Sequence, residues 1–97
     1  MPDPLSPNDI ERALTRLTNW RLEDGALRRD LSFSDFVAAF SFLSAVALLA
    51  EKHGHHPEIA NVYREVTLRL RTHDAGGRVS QHDVDLAEAI DAVAGDA

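Results

Sequence analysis

The chain contains no cysteine, which excludes a disulfide framework, a thiolate nucleophile and any Cys-based zinc site. Its core must hold without covalent help. Positive charge is also scarce: ten Lys and Arg stand against sixteen Asp and Glu, for a formal charge of −6 and a pI near 5.2. That sign is wrong for screening phosphates or lying on an anionic membrane, so direct nucleic-acid binding is not expected. No long apolar run is present. The most apolar stretch, Phe36 to Ala50, has 15 residues, includes Ser41 and Ser44, and falls short of the roughly 20 that a bilayer core demands, so no membrane span is expected. The opening Met1-Pro2-Asp3-Pro4-Leu5-Ser6-Pro7 has neither the basic nor the apolar region of a secretory signal, which points to the cytoplasm. What is present is 97 residues, 44% hydrophobic and 27% charged, a globular composition with room for one domain over 1–97. Oligomerisation is the remaining way to enlarge so small a core.

One pattern occurs three times: apolar, Ser, two spacers, Asp, apolar, at Leu5–Ile10, Leu31–Phe36 and Val79–Val84. Each reads as a capping box, in which the Ser oxygen takes an orphan backbone N–H and the Asp three residues later reaches back. Three helices are therefore expected to start at Ser6, Ser32 and Ser80, with Pro7 in the first helical position of the first. Ile10, Ala13, Leu14 and Leu17 share one face of the first helix, and Val84, Ala87, Ile90 and Ala94 one face of the third. The middle helix carries two stripes, and Gly54 and Pro57 end it near His53. Phe36, Phe40, Leu43 and Ala47 are expected to face a sheet, while Phe42, Val46 and Leu49 wait for a partner subunit. Pairing of two copies through the helix starting near Ser32 follows.

Asp24-Gly25 is a two-residue hairpin signal that pairs Leu22 with Leu27, between strands over 19–23 and 26–31. From Glu58 to Thr72 the apolar positions fall first on odd numbers (Ile59, Tyr63) and then on even ones (Val66, Leu68, Leu70). A turn at Arg64-Glu65 would restore one apolar face. The expected fold is α+β, in the order α-β-β-α-β-β-α, a four-stranded antiparallel sheet with three helices packed on one face.

Five histidines are present, and His53, His55, His56 and His73 flank the second half of the sheet. Imidazole, with an ordinary pKa of about 6.5, both gives and takes protons near neutrality. His55-His56-Pro57 follows a helix end, and His73 leaves a strand for the loop Asp74-Ala75-Gly76-Gly77, the kind of segment where sites concentrate on a rigid scaffold. Taken alone, His-His-Pro is equally a solvated helix-end loop. Imidazoles with Asp74 could ligate zinc, but no His-x-x-x-His or His-Glu-x-x-His spacing occurs, and no metal site is expected. Asp83, as the third capping Asp, reads as chiefly structural. Trp20 and Tyr63 read most simply as core or rim aromatics, and His82 as exposed.

The ordered set is more specific than its members. Glu51-Lys52-His53-Gly54-His55-His56-Pro57, then Tyr63, Thr72-His73-Asp74-Ala75-Gly76-Gly77 and Asp83 resemble the pterin-4a-carbinolamine dehydratase family. Trp20 before the first hairpin, Phe36 opening the second helix, Glu58 after the proline and Asn61-Val62-Tyr63 match the wider frame, so that the resemblance runs from about Leu5 to Val93. It implies a dehydratase that removes water from 4a-hydroxytetrahydropterin to give the quinonoid dihydropterin, without metal or organic cofactor. It further implies His55, His56 and His73 as catalytic residues, with Glu51, Pro57, Tyr63 and Asp83 binding substrate or supporting the site. Many members of that family carry an aromatic where Ile59 stands, and Arg78 is an extra loop residue that could shift how Asp83 meets the site. The competing reading is a binding or assembly protein of the same fold, like those members that serve as transcription coactivators or Rubisco chaperones. In the latter the histidine set degrades; here it is complete, which favours the enzyme.

Overall fold

Asp24 and Gly25 both take positive φ, 51° and 80°, the twist that a two-residue hairpin needs. Strand β1 (Arg21–Glu23) thus pairs with β2 (Ala26–Ser32) in the expected register, Leu22 opposite Leu27. The second hairpin turns one residue earlier than expected. Strands β3 (Glu58–Val62) and β4 (Glu65–Leu70) set Val62 opposite Glu65, so the turn is Tyr63-Arg64 and not Arg64-Glu65. Tyr63 adopts a φ of 52°, and the Asn61 side-chain amide holds the turn by donating to the carbonyls of Tyr63 at 3.0 Å and Glu65 at 2.9 Å. A local side-chain cap has overridden the parity of the apolar residues.

This computed structural model describes residues 2–95 and 97. The helices are α1 (Pro7–Leu14), α2 (Phe36–His53) and α3 (Gln81–Ala94), with a single 3₁₀ turn at His73–Ala75. Chain order is α-β-β-α-β-β-α, the strands are antiparallel in the spatial order β1-β2-β4-β3, and the fold is α+β as expected. Alternation along β2 and β4 sends Leu27, Leu31, Val66, Leu68 and Leu70 to one face. There they join Ala13, Leu17, Ala39, Phe42, Val46, Val84, Leu86 and Ile90 in one buried cluster. The other face is charged: Arg21, Glu23, Arg28 and Asp30 form linked ion pairs across β1 and β2. Burial pushes the Asp30 carboxyl up, but hydrogen bonds from Thr67, Arg28 and Arg21 outweigh it and hold the group below the usual carboxylate range.

The three Ser/Asp boxes meet different fates. At α1, Ser6 Oγ accepts from the Asp9 N–H at 3.1 Å, while the Asp9 carboxylate turns to Arg12 on the surface. At α2 the expectation fails. Ser32 is consumed by β2, where it pairs with Glu65 and bonds that carboxylate, and Asp35 itself caps the helix, accepting from the Ala38 N–H at 2.7 Å. The middle helix therefore starts at Phe36, not near Ser32, because Asp caps as well as Ser does. Only at α3 is the reciprocal box complete: Ser80 Oγ accepts from the His82 N–H and Asp83 Oδ2 accepts from the Ser80 N–H at 2.8 Å.

The two stripes of α2 are also exchanged. Phe42 and Val46 are buried and Leu49 is partly buried, whereas Phe36, Phe40 and Ala47 face solvent; of the stripe assigned to the sheet, only Leu43 is buried. With Asp35 as the cap and the helix beginning at Phe36, the face on which Ala39, Phe42, Val46 and Ala50 align is the one turned inward. The solvent side keeps Phe36, Val37, Phe40 and Leu48, the last 74% exposed. The helix adds Glu51–His53 to the 15-residue apolar run, and at 18 residues with a mean hydropathy of 1.4 it is long and apolar enough to cross a membrane by length and composition. Its inner face is already committed to the core.

Candidate active site

Two chain segments converge at the end of the sheet where α2 hands over to β3 and β4 leaves for α3. The first is built by a helix stop. Gly54 takes φ 61° and its N–H bonds back to the Glu51 carbonyl, and the His55 N–H bonds back to the Ala50 carbonyl, a left-handed cap that reverses the chain so that His55 and His56 emerge beside the last turn. Pro57 then blocks further helix and feeds β3. The bend sends the two imidazoles to different partners. His56 Nε2 lies 2.6 Å from Glu51 Oε2, with both side chains largely exposed. His55 Nε2 lies 2.5 Å from Asp83 Oδ1, with His55 14% exposed and Asp83 fully buried.

The second segment follows β4. Alternation buries Leu70 and Thr72 and exposes Arg71 and His73, so His73 emerges on the solvent side as the strand ends in the 3₁₀ turn. Gly76 and Gly77, at φ 72° and 74°, return the chain so that Thr72 and Arg78 form a bridge, the Thr72 N–H bonding the Arg78 carbonyl at 2.9 Å. Arg78 is thus the closing rung of a small loop. Asp83 keeps its contact with His55.

His56 and His73 line one open cleft of about 630 Å³ together with Glu58, Arg71, Gly76 and Gly77. His55 is not among the residues that line it and is pinned to Asp83. Glu51 reaches the cleft through His56. Tyr63 does not join them: it is 79% exposed in the β3–β4 turn, the length of β3 away, about 20 Å from Pro57 at strand rise. Ile59 sits on β3 opposite Leu68 and does not line the cleft. Among the residues not anticipated, Arg71 is the most informative, since its guanidinium lies in the cleft wall and pairs with Glu58 at 2.8 Å. Its position two before His73 on an alternating strand was the available signal. His82, expected to be exposed, is so, yet its ring centroid is 6.0 Å from that of His55.

A buried polar network supports the site. Thr72 Oγ1 is 2.5 Å from Ser80 Oγ and 2.8 Å from Asp83 Oδ2, so strand end, helix cap and histidine loop are joined through one carboxylate. The capping Asp also has a second contact, because its Oδ1 meets His55.

The family model described as pterin 4 alpha carbinolamine dehydratase matches residues 3–93. The chain belongs to that family. A dehydratase-family protein of Rhizorhabdus wittichii, provisionally named pterin-4-alpha-carbinolamine dehydratase, is 50% identical over 94 residues, spanning 95% of this chain and 96% of its own. A protein of Bradyrhizobium sp. with the same provisional name is 51% identical over 96 residues, covering 97% and 96%. The crystal structure of a transcriptional coactivator/pterin dehydratase from Brucella melitensis superposes with a TM-score of 0.91 at 37% identity, covering 96% of this chain and all of that one. A pterin dehydratase-like protein described as a RuBisCO assembly factor in the alpha-carboxysome has a TM-score of 0.68 at 26% identity, covering 81% and 93%. Dehydratase chemistry on a pterin is the activity that this membership supports.

Proposed function

We propose that the chain dehydrates 4a-hydroxytetrahydropterin to the quinonoid dihydropterin by histidine acid–base catalysis. In this reaction the C4a–O bond breaks, a proton joins the departing hydroxyl to make water, N5 gives up its proton, and a C4a–N5 double bond forms. One group must donate and another accept, a few ångströms apart, and neither needs to be a metal. The observation that carries the reading is the meeting of His56 and His73, from separate segments, in one cleft beside a His55 fixed by a buried carboxylate. Arg71 and Glu58 on the wall offer a donor and an acceptor to the amide and amino edge of a pterin ring. Pro57 stiffens the His56 loop and Glu51 orients its imidazole. Titration calorimetry with 7,8-dihydropterin, a stable reduced pterin, should give one site per chain that His73→Ala weakens; absence of binding would remove the reading. Treatment with EDTA should leave turnover unchanged, and a loss restored by zinc would contradict a mechanism run by imidazoles alone.

The same reading has the enzyme working as a cytoplasmic homodimer or homotetramer, without membrane or direct nucleic-acid contact, a reading that the charge of −6 supports. The exposed stripe Phe36, Val37, Phe40 and Leu48 on α2 supports self-association, since each large apolar side chain left in water forgoes roughly 1.5–3 kcal/mol and a two-fold contact buries the same stripe twice. Light scattering should give a mass at least twice 10.7 kDa for the wild type, and a smaller one for the Phe40→Asp, Leu48→Lys double mutant. An intact oligomer in the mutant would exclude this face. A coactivator or assembly role would draw on the same stripe, but it gives no reason to keep His55, His56 and His73 together.

A further inference from the structure

We infer that Thr72 is a positioning residue whose hydroxyl, through Asp83, fixes His55 in the tautomer protonated at Nε2 and so leaves Nδ1 as the nitrogen that exchanges protons. This rests on the dehydratase reading for its catalytic meaning, and on hydrogen-bond direction for its geometry.

Each donor in the network has one consistent assignment. Asp83 is fully buried, and three groups converge on it: the Ser80 N–H and Thr72 Oγ1 on Oδ2, both at 2.8 Å, and His55 Nε2 on Oδ1 at 2.5 Å. An ionised carboxylate only accepts, so Thr72 must spend its single O–H on Asp83. Thr72 Oγ1 can then only accept from Ser80, whose hydroxyl lies 2.5 Å away. Ser80 Oγ in turn accepts from the His82 N–H at 3.2 Å. The result is a one-way chain from the first turn of α3 through Ser80 and Thr72 to Asp83. With Oδ2 filled by two donors, Oδ1 is the oxygen left for the imidazole, and His55 must meet it as Nε2–H. In the neutral ring the lone pair is then on Nδ1.

Sequence position explains why one residue does this. Thr72 is the last inward-facing position of the β4 alternation, immediately before His73, and its backbone N–H is already committed to the Arg78 carbonyl. Its side chain therefore has a fixed origin. The hydroxyl couples the two halves of the site: His73 on one side of the peptide, Asp83 and His55 on the other. Valine is nearly isosteric but leaves Asp83 Oδ2 with a single donor and the Ser80 hydroxyl without its acceptor, which frees the carboxylate to rotate. A misplaced imidazole costs roughly 10- to 100-fold in rate even when its movement is small.

The test compares wild type, Thr72→Val and Thr72→Ser by ¹⁵N–¹H correlation of the imidazole nitrogens in ¹⁵N-histidine-labelled protein, above the titration of His55, alongside kcat and KM for dehydration. The wild type and Thr72→Ser should show His55 protonated at Nε2. Thr72→Val should add the Nδ1–H form and lower kcat roughly 10- to 100-fold with KM changed less than about threefold, and Thr72→Ser should recover most of that loss. Should Thr72→Val fail to fold, Thr72→Ala removes the same hydroxyl and is read in the same way. Wild-type His55 protonated at Nδ1, or a folded Thr72→Val with unchanged tautomer and kcat, overturns the inference. The tautomer is read without substrate, so a wild-type protein with no dehydratase activity and the Nε2–H form would contradict the function alone.

Discussion

Alanine in place of His55, His56 or His73 is expected to lower the rate of 4a-carbinolamine dehydration by roughly 10- to 10⁴-fold in each case, the range for losing a proton-transfer group. The three variants should differ in stability. His56 and His73 are exposed on the cleft, and truncating exposed side chains away from packing changes stability by less than about 0.5 kcal/mol. His55 is 14% exposed and supplies the only side-chain contact to Asp83 Oδ1 among the described residues. Its removal leaves a buried carboxylate oxygen unpaired, which should cost about 1–3 kcal/mol. Stopped-flow rates and thermal melts on the same samples separate the two effects. Wild-type rates in all three variants would end the catalytic reading, and a His55→Ala melt equal to that of His73→Ala would deny the Asp83 contact.

Asp83→Ala should lower both stability and turnover, because one carboxylate caps α3, accepts from Thr72 and holds His55. Loss of a helix cap costs about 0.5–2 kcal/mol, and the stranded Thr72 and His55 donors add to it, for a total near 2–4 kcal/mol. Turnover should fall with it. Asp9 occupies the same place in the repeated pattern, but among the described residues its carboxylate meets only Arg12 on the surface, so Asp9→Ala should cost less than about 1 kcal/mol and leave turnover unchanged. Denaturant titrations of both variants check the contrast. Equal losses of stability in the two would contradict the bonds that Asp83 makes to Ser80, Thr72 and His55.

The contrast between Asp9, Asp35 and Asp83 marks where the sequence stops informing. Three identical local patterns foretell three helices, and each helix is there, because capping is a matter of four or five neighbouring residues. Which oxygen is left over for a distant partner depends on what lies 28 residues away at His55, and no local pattern encodes that. The first hairpin was legible in Asp24-Gly25 for the same reason of locality. The second was misread by one residue because the Asn61 amide decides its turn, and a parity rule weighs only apolar positions. The faces of α2 were exchanged because both stripes are apolar enough to fill a core; the small Ala39 and Ala50 beside Phe42 and Val46 choose the closer packing. The resemblance of the ordered set to the family, not spacing alone, singles out His55, His56 and His73. Their separation into a pinned His55 and a cleft-lining His56, set by the bend at Gly54, belongs to three dimensions.

The central claim is that this site expels water from a 4a-hydroxytetrahydropterin. The most direct measurement follows the loss of 4a-carbinolamine absorbance by stopped flow, with the purified protein present at a small fraction of the substrate concentration. The account predicts decay well above the spontaneous rate, proportional to protein and abolished in a His56→Ala, His73→Ala double mutant that still folds. Decay at the spontaneous rate, from a protein whose oligomer and melting transition are intact, would contradict it.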